Sequence, residues 1–134
     1  MKAPAASALR KQLWRAYQTL GRTLQAMTRD ARLIPGSFYL MRRKCGHPTC
    51  HCARGQLHPA WVLTRSEAGR HKLYNVPAPE RAQVRQQAGA WRRAQRARAQ
   101  FVKQTAALLA LADQIVQAQT VPWPAPPPSR KARP

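Results

Sequence analysis

The stretch that decides the fold is Lys44–His58, which reads KCGHPTCHCARGQLH and contains all 3 cysteines of the chain. An odd number of cysteines cannot pair off internally, so this cluster is more typical of metal ligands than of a disulfide framework. Zinc takes four thiolate or imidazole ligands in a tetrahedron, and three cysteines with one histidine supply them. The stretch therefore predicts a Zn²⁺ site.

We expect the ligands to be Cys45, Cys50, Cys52 and His58. With four positions filled, no coordination site is left for water, so the predicted role is structural. His47 ranks second as the histidine ligand and His51 third. Buried free thiols and a redox pair remain alternatives, and an iron–sulfur cluster would need an unusual histidine ligand.

Three short strands are predicted around this cluster, at residues 37–41, 60–64 and 72–76, with a hairpin loop at residues 67–70. These segments are rich in β-branched and aromatic residues and are bounded by turn formers, a pattern typical of antiparallel strands. A sheet this small needs another element packed on one face.

Helices are predicted on both sides of the strands. In the first helix, apolar residues recur every three or four positions, with Ser7 as the N-cap and Pro35-Gly36 as the stop. This stripe is Leu9, Leu13, Tyr17, Leu20, Leu24, Met27 and Ala31. A second helix is expected from Pro79 to about Gln119. Its apolar stripe is Val84, Ala88, Trp91, Ala94, Ala97, Phe101, Thr105, Leu108, Ala112 and Ile115. Within that stripe, Ala94 and Ala97 are small enough for another backbone to come close.

The predicted fold class is α+β: a long N-terminal helix, a small three-stranded antiparallel β unit with a zinc site, and a long C-terminal helix. The helices are expected to pack as an antiparallel hairpin. We expect a flexible N-terminus at residues 1–6, one domain over residues 7–119, and a disordered, basic, proline-rich tail at residues 120–134. The narrow stripes bury little by themselves, so a homodimer through the helices is left open.

The chain of 134 residues carries 24 Lys+Arg against 4 Asp+Glu, a formal net charge of +20. Like charges repel across a compact surface, which points to a polyanionic partner. Nucleic acid is the leading interpretation, with DNA favoured and RNA as the alternative. An anionic membrane surface and a charge retained only for solubility are weaker readings.

The cationic residues that we expect at a nucleic-acid interface flank the cysteine cluster, lie on the predicted strands, or lie on the second helix. They are Arg42, Arg43, Lys44, Arg54, Arg65, Arg70, Lys72, Arg92, Arg93, Arg96 and Arg98. Three aromatic residues could stack on unpaired bases: Trp61, Tyr74 and Trp123. Core packing is the stronger interpretation for the first two.

No catalytic residues are predicted. The acidic residues Asp30, Glu67, Glu80 and Asp113 fall in four different predicted elements, so no carboxylate pair forms an acid–base couple. A hydrolytic zinc with Glu67 as base is the best enzyme hypothesis, and the filled ligand set argues against it. We expect a cytoplasmic, nucleoid-associated protein, because the sequence shows neither a secretion leader nor an apolar run long enough to span a membrane.

Several motifs resemble a family of small uncharacterised bacterial zinc-binding proteins that are often encoded beside transposases and other mobile elements. The shared features are Gly36-Ser37-aromatic, Cys45-Gly46-x-Pro48-x-Cys50-x-Cys52-Ala53-Arg54-Gly55, a histidine six residues after the last cysteine, and Val76-Pro77 before a long helix. The resemblance covers Ile34 to Ile115. This chain departs from it at Ala60, where an aromatic residue is usual, and in its longer basic tail.

The resemblance implies a zinc-binding accessory factor linked to transposition or another mobile element. Its ligands fall on Cys45, Cys50, Cys52 and His58. Two other functions remain open from the sequence. One is a structural subunit of a ribonucleoprotein, and the other is an interaction adaptor that holds a partner protein such as a transposase or nuclease.

Overall fold

The computed structural model describes residues 5–129. Along the chain, one long helix precedes the three strands of a sheet and another long helix follows them, which confirms the predicted α+β class. In chain order the elements are α1 (Ala6–Met27), β1 (Ser37–Arg43), β2 (His58–Glu67), β3 (Arg70–Asn75) and α2 (Arg81–Gln119). Short 3₁₀ turns cover His51–Arg54 and Ala78–Glu80.

The described chain divides into two compact units. The helical unit comprises residues 5–22 and 101–129, and the β unit comprises Thr23–Gln100. Early residues of α1 and late residues of α2 thus share one unit, as expected for an antiparallel helix pair. The expectation of a single domain over residues 7–119 stays a prediction.

The sheet has the order β1-β2-β3, and both pairs are antiparallel. Glu67 pairs with Arg70, so the β2–β3 loop contains only Ala68 and Gly69. Both loop residues have positive φ, at 49° and 77°. This is the conformation of a type I′ turn, whose twist matches that of the flanking strands.

The core of the β unit lies between one face of the sheet and the first turns of α2. Leu63 is buried with Val76 and Ala88, and Phe38 packs against them. Phe38 and Trp61 stack at 5.2 Å between ring centroids. The Arg85 guanidinium lies 5.0 Å from the Trp61 ring centroid and 5.7 Å from that of Phe38. The aromatic pair on the sheet is therefore covered by a cation from α2.

The segment that enters β1 is held against its neighbours by backbone contacts. The Ile34 N–H donates to the Gln87 carbonyl of α2 at 3.1 Å. Gly36 follows with φ of +129°, and a Cβ atom there would lie 2.6 Å from the Thr64 carbonyl oxygen. Only glycine fits this close approach without strain.

The buried stripe of α1 differs from the predicted one. Leu9 is buried, but Tyr17 and Leu24 are 57% and 42% exposed, and Thr23 is buried instead. The prediction placed the larger side chain of Leu24 in the interior, but the neighbouring Thr23 is buried there. The helix also ends at Met27, well before Pro35-Gly36, so Ala31 lies outside it.

The stripe of α2 agrees better with the prediction, since Ala88, Ala97 and Ile115 are buried. Met27 and Leu33 line one groove together with Ala90 and Ala94 of α2.

Residues 120–129, the described part of the predicted tail, contain neither helix nor strand and are exposed. Residues 1–4 of the predicted flexible N-terminus and residues 130–134 of the tail lie outside the described residues. Among the described helices, none combines the length and the apolar character needed to cross a membrane.

Two glycine substitutions should have opposite effects on stability. Gly36→Ala should lower the free energy of unfolding by about 2–4 kcal/mol, since it adds a backbone clash to an unfavourable φ. Gly21→Ala, in α1 with no atom within 4 Å of the added Cβ, should raise it by about 1 kcal/mol. Urea unfolding of both variants measures the difference, and equal effects would contradict the assigned contact.

Candidate metal centre and basic surface

The register of β1 and β2 positions the ends of the cysteine-containing loop. Arg43, the last residue of β1, pairs with His58, the first residue of β2. Cys45 follows Arg43 by two residues, so it lies just beyond the end of β1, next to the start of β2 at His58. Two of the expected ligands, 13 positions apart in the sequence, are thereby neighbours.

The loop between these strands folds through two tight turns. The Cys50 N–H donates to the His47 carbonyl at 3.1 Å, which closes the turn that contains Pro48. Cys50 is extended, and Cys52 lies in the 3₁₀ turn that follows it. Gly55 ends that turn with φ of 108°, and its N–H donates to the Cys52 carbonyl at 3.2 Å.

These turns bring four ligand side chains together. One donor atom from each of Cys45, Cys50, Cys52 and His58 lies within 4.8 Å of all the others. The Cys45 and Cys52 sulfurs are 3.4 Å apart, and the Cys50 sulfur is 3.0 Å from His58 Nε2. Zinc–ligand bonds of about 2.0–2.3 Å in a tetrahedron separate the donors by roughly 3.6–3.8 Å. The cluster therefore fits a four-coordinate metal ion after only small shifts.

The electrostatics of the cluster favour a thiolate at its outer edge. The backbone of His47, followed by the Cys52 thiol, lowers the pKa of Cys45 to about 6. Thiolate is the form of cysteine that binds metals. For Cys52, the Cys45 N–H acts to lower the pKa, but burial and the neighbouring Cys45 and Cys50 sulfurs raise it above its ordinary value. That N–H donates to the Cys52 sulfur at 3.3 Å.

The other histidines of the loop are not part of the cluster. His47 is exposed, and its carbonyl is used in the turn to Cys50. The His51 ring packs edge-on against His58 at 5.0 Å between centroids, with Nδ1 3.9 Å from the Cys50 sulfur. His51 thus lies beside the ligands, supporting the His58 ring.

Glu67 lies at the opposite end of β2 from His58, roughly 30 Å away along a strand of this length. Its carboxylate accepts hydrogen bonds from Arg65 Nε at 2.6 Å and from the Tyr74 hydroxyl at 2.7 Å. The Tyr74 hydroxyl, followed by Arg65, lowers the pKa of Glu67 below its ordinary value. This geometry does not place Glu67 where it could act as a base beside a metal-bound water.

The expected nucleic-acid contacts all fall in the β unit. Arg65 is partly buried and all the others are exposed. Arg42 and Arg43 lie at the end of β1, and Lys44 and Arg54 lie in the cysteine-containing loop. The others lie on β2 (Arg65), on β3 (Arg70 and Lys72) and on α2 (Arg92, Arg93, Arg96 and Arg98). Arg65 and Lys72 are direct partners across β2 and β3, so like charges adjoin.

The three aromatic candidates differ in exposure. Trp61 is partly buried in its stack with Phe38, Tyr74 is 41% exposed and Trp123 is 92% exposed. Trp61 therefore agrees with the expectation that it packs in the core. Tyr74 lies on the surface, where the Arg65 guanidinium is 5.0 Å from its ring centroid.

A cleft of about 680 Å³ in the β unit was not predicted from the sequence. We call it the basic cleft. Its walls are the start of β1, the last part of β2, His71 of β3, and α2 residues that include Trp91, Arg92, Gln95 and Arg96. Trp91 was assigned to the apolar stripe of α2. The signal that could have revealed its role is the sequence Trp91-Arg92-Arg93, an aromatic residue followed directly by two cations.

The sequence was compared with protein families, with curated proteins and with solved structures, and a protein family matches it. No curated protein and no solved structure matches the sequence significantly. The family match covers residues 8–86, from α1 through the metal cluster and the sheet to the first turns of α2. It begins earlier and ends earlier than the resemblance noted from the motifs. Because the match spans more than half of the chain, this protein belongs to the family described as "Domain of unknown function (DUF6788)".

Proposed function

We propose that this protein is a non-catalytic, zinc-stabilised nucleic-acid-binding accessory factor, with DNA as the preferred partner. The observation that carries the proposal is the exposed and unneutralised cationic surface of the β unit. Among residues 5–129 the structure forms a single ion pair, between Arg65 and Glu67. Because 24 Lys+Arg face only 4 Asp+Glu, the chain has a net charge of +20 that its own acidic residues cannot balance and that an external polyanion can.

Phosphate is the group that suits this surface best. The cations come from strands, from the cysteine-containing loop and from α2, so they form part of a folded surface and are not confined to a tail. A surface of this kind binds the nucleic-acid backbone through charge and through release of counterions, with little dependence on sequence.

Zinc is the metal that the ligand set favours. Three thiolates and one imidazole are typical of structural zinc sites, and harder cations such as Mg²⁺ and Ca²⁺ prefer oxygen ligands. In this role the metal links the end of β1 to the start of β2 and orders the intervening loop. Lys44 and Arg54, on either side of the cluster, would then be held in position to contact phosphate.

The link to transposition rests on the motif resemblance, which associates similar proteins with mobile elements. A nucleoid-associated, cytoplasmic protein would be consistent with that role. An accessory factor of this kind would bind DNA beside a transposase or nuclease and leave the cleavage chemistry to its partner.

A protein-interaction adaptor is the second candidate function, and one observation favours it. In the helical unit, a groove lined by Leu13, Trp14, Tyr17, Leu108 and Ala112 is almost entirely apolar. Trp14 is 62% exposed, and its ring meets that of Tyr17 edge-on at 5.7 Å. Exposed apolar surface of this kind is typical of protein–protein contacts.

Metal binding can be tested by substitution of single ligands. Cys50→Ser and His58→Ala should each abolish stoichiometric zinc and unfold the cysteine-containing loop and the adjacent strand ends, because structural zinc contributes directly to folding energy. Elemental analysis and near-ultraviolet circular dichroism give the two measurements. His47→Ala is the matched control and should retain zinc and fold. A His58→Ala variant with full zinc content, or a folded zinc-free Cys50→Ser variant, would refute the proposed structural site.

Nucleic-acid binding can be tested through its salt dependence. The logarithm of the association constant for duplex DNA should fall linearly with log salt between about 50 and 200 mM, with a slope near −0.9 per phosphate contact. Arg70→Gln and Arg98→Gln, both exposed in the β unit, should each reduce the slope by about 0.9. Lys11→Gln removes the same charge from the helical unit and should leave the slope unchanged.

Fluorescence anisotropy with a labelled duplex measures these slopes, and competition with structured RNA compares the two nucleic acids. An affinity that does not change with salt would contradict the proposal. If RNA competes more strongly than DNA, RNA is the preferred partner instead of DNA.

The adaptor function predicts a different result. A protein of fixed stoichiometry should remain bound after nuclease treatment and should be lost in Trp14→Ser, which disrupts the groove. Trp123→Ser, which changes an exposed tryptophan outside the groove, should retain it. Co-purifying nucleic acid without such a protein would contradict the adaptor function.

A further inference from the structure

The basic cleft combines features that a flat phosphate-binding surface does not need. Its volume of about 680 Å³ is within the range of roughly 300–1,000 Å³ that is typical of ligand pockets. Strand residues form one wall and α2 forms the other, and both walls belong to the β unit. A group the size of one nucleotide can therefore enter it.

Two arginines give the cleft its charge. Arg92 and Arg96 are four residues apart on α2, so they lie on the same side of the helix. Both are exposed, and neither forms an ion pair within the part of the chain that is described. No acidic residue lines the cleft. Arg65 also lines it, but its charge is balanced by the ion pair with Glu67, so the unpaired arginines of the cleft are those of α2.

Trp91 supplies an aromatic surface next to these charges. Its side chain is partly buried and lines the cleft together with Gln95, one helical turn later. An indole in a cleft can stack on a base, and every base offers a π-face for such a contact. In a duplex those faces are covered by the neighbouring base pairs, so only an unpaired base can reach Trp91.

The remaining wall offers polar groups suited to a sugar or a base edge. His71 at the start of β3, Ser66 opposite it on β2, and Gln95 on α2 all line the cleft. Hydrogen-bonding groups of these exposed residues can contact a base edge or a hydroxyl group, which suits a polar ligand such as a nucleotide.

From these observations, we propose that the basic cleft holds one unpaired nucleotide of a nucleic-acid strand, with the base stacked on Trp91 and the phosphate between Arg92 and Arg96. This inference rests on the proposed nucleic-acid-binding function and adds a preference for single-stranded segments or junctions. The unpaired nucleotide could come from DNA or from RNA, and the experiment includes both.

The test measures binding of the full-length protein to oligo(dT), oligo(U) and a duplex of the same length by fluorescence anisotropy. Trp91→Ala should weaken single-strand binding roughly tenfold, which is typical for loss of one base stack, and should leave duplex binding nearly unchanged. Trp91→Phe retains a stacking surface and should recover most of the affinity. The double variant Arg92→Gln/Arg96→Gln should lower single-strand affinity more than Arg93→Gln/Arg98→Gln, which removes the same charge from α2 outside the cleft.

Photocrosslinking provides a second measurement that does not depend on a substitution at Trp91. A single strand that carries 5-iodouracil should crosslink to the wild-type protein at Trp91 or His71, as mapped by mass spectrometry. If Trp91→Ala does not fold, as judged by circular dichroism, this crosslink and the arginine double variants decide the question.

The two proposals can fail separately. If the wild-type protein binds duplex DNA with a salt-dependent affinity but crosslinks only outside the cleft, the nucleotide site is wrong and the proposed function stands. Equal losses on single strands and duplexes for both double variants would also overturn the site. If the wild-type protein binds none of the three nucleic acids, the proposed function itself fails. Preferential binding of oligo(U) with the expected Trp91 dependence would support the site and assign it to RNA.

Discussion

The antiparallel pairing of β1 with β2 determines where the chemistry of this protein lies. Because Arg43 and His58 are partners at the end of the hairpin, Cys45 and His58 meet at one edge of the sheet, and the chain between them must return within a short loop. That loop has little apolar material, and Cys52 is its only buried residue within Lys44–Leu57. A metal ion held by these sulfur and imidazole groups would replace the hydrophobic contacts that such a loop lacks.

The rest of the β unit depends on one face of the sheet being covered by α2. Leu63 and Ala88 form the apolar centre, and Arg85 extends the cover over Phe38 and Trp61. The arginines of α2 therefore have different roles. Arg85 packs on aromatic rings, whereas Arg92 and Arg96 lie along the basic cleft and have no acidic partner among the described residues. Charge counted from composition does not distinguish these roles.

Much of the fold could be predicted from the sequence because its signals are local. The cysteine spacing, the alternating strands and the period of α2 each depend on a few neighbouring residues, and the structure has the corresponding elements. The choice of His58 over His47 as the fourth member of the cluster could also be made from the sequence, because His58 lies just before a predicted strand. The basic cleft could not be predicted, because it depends on how the strands and α2 approach each other. The burial of Thr23 in place of Leu24 could not be predicted either, because periodicity gives the direction of a stripe only to within about one residue.

Gly36 shows how a single backbone contact limits the residues that this chain can accept at one position. The Thr64 carbonyl occupies the space that any side chain at position 36 would need, and Thr64 pairs with Ser37 in the sheet. A side chain at position 36 would therefore require Gly36 and Thr64 to move apart, which would disturb the first residues of the β1–β2 pairing. Cys45 and His58 lie at the other end of the same two strands, so this glycine and the candidate metal centre depend on one hairpin. Across relatives, we expect this glycine to persist together with the cysteines, while the exposed glycine of α1 varies.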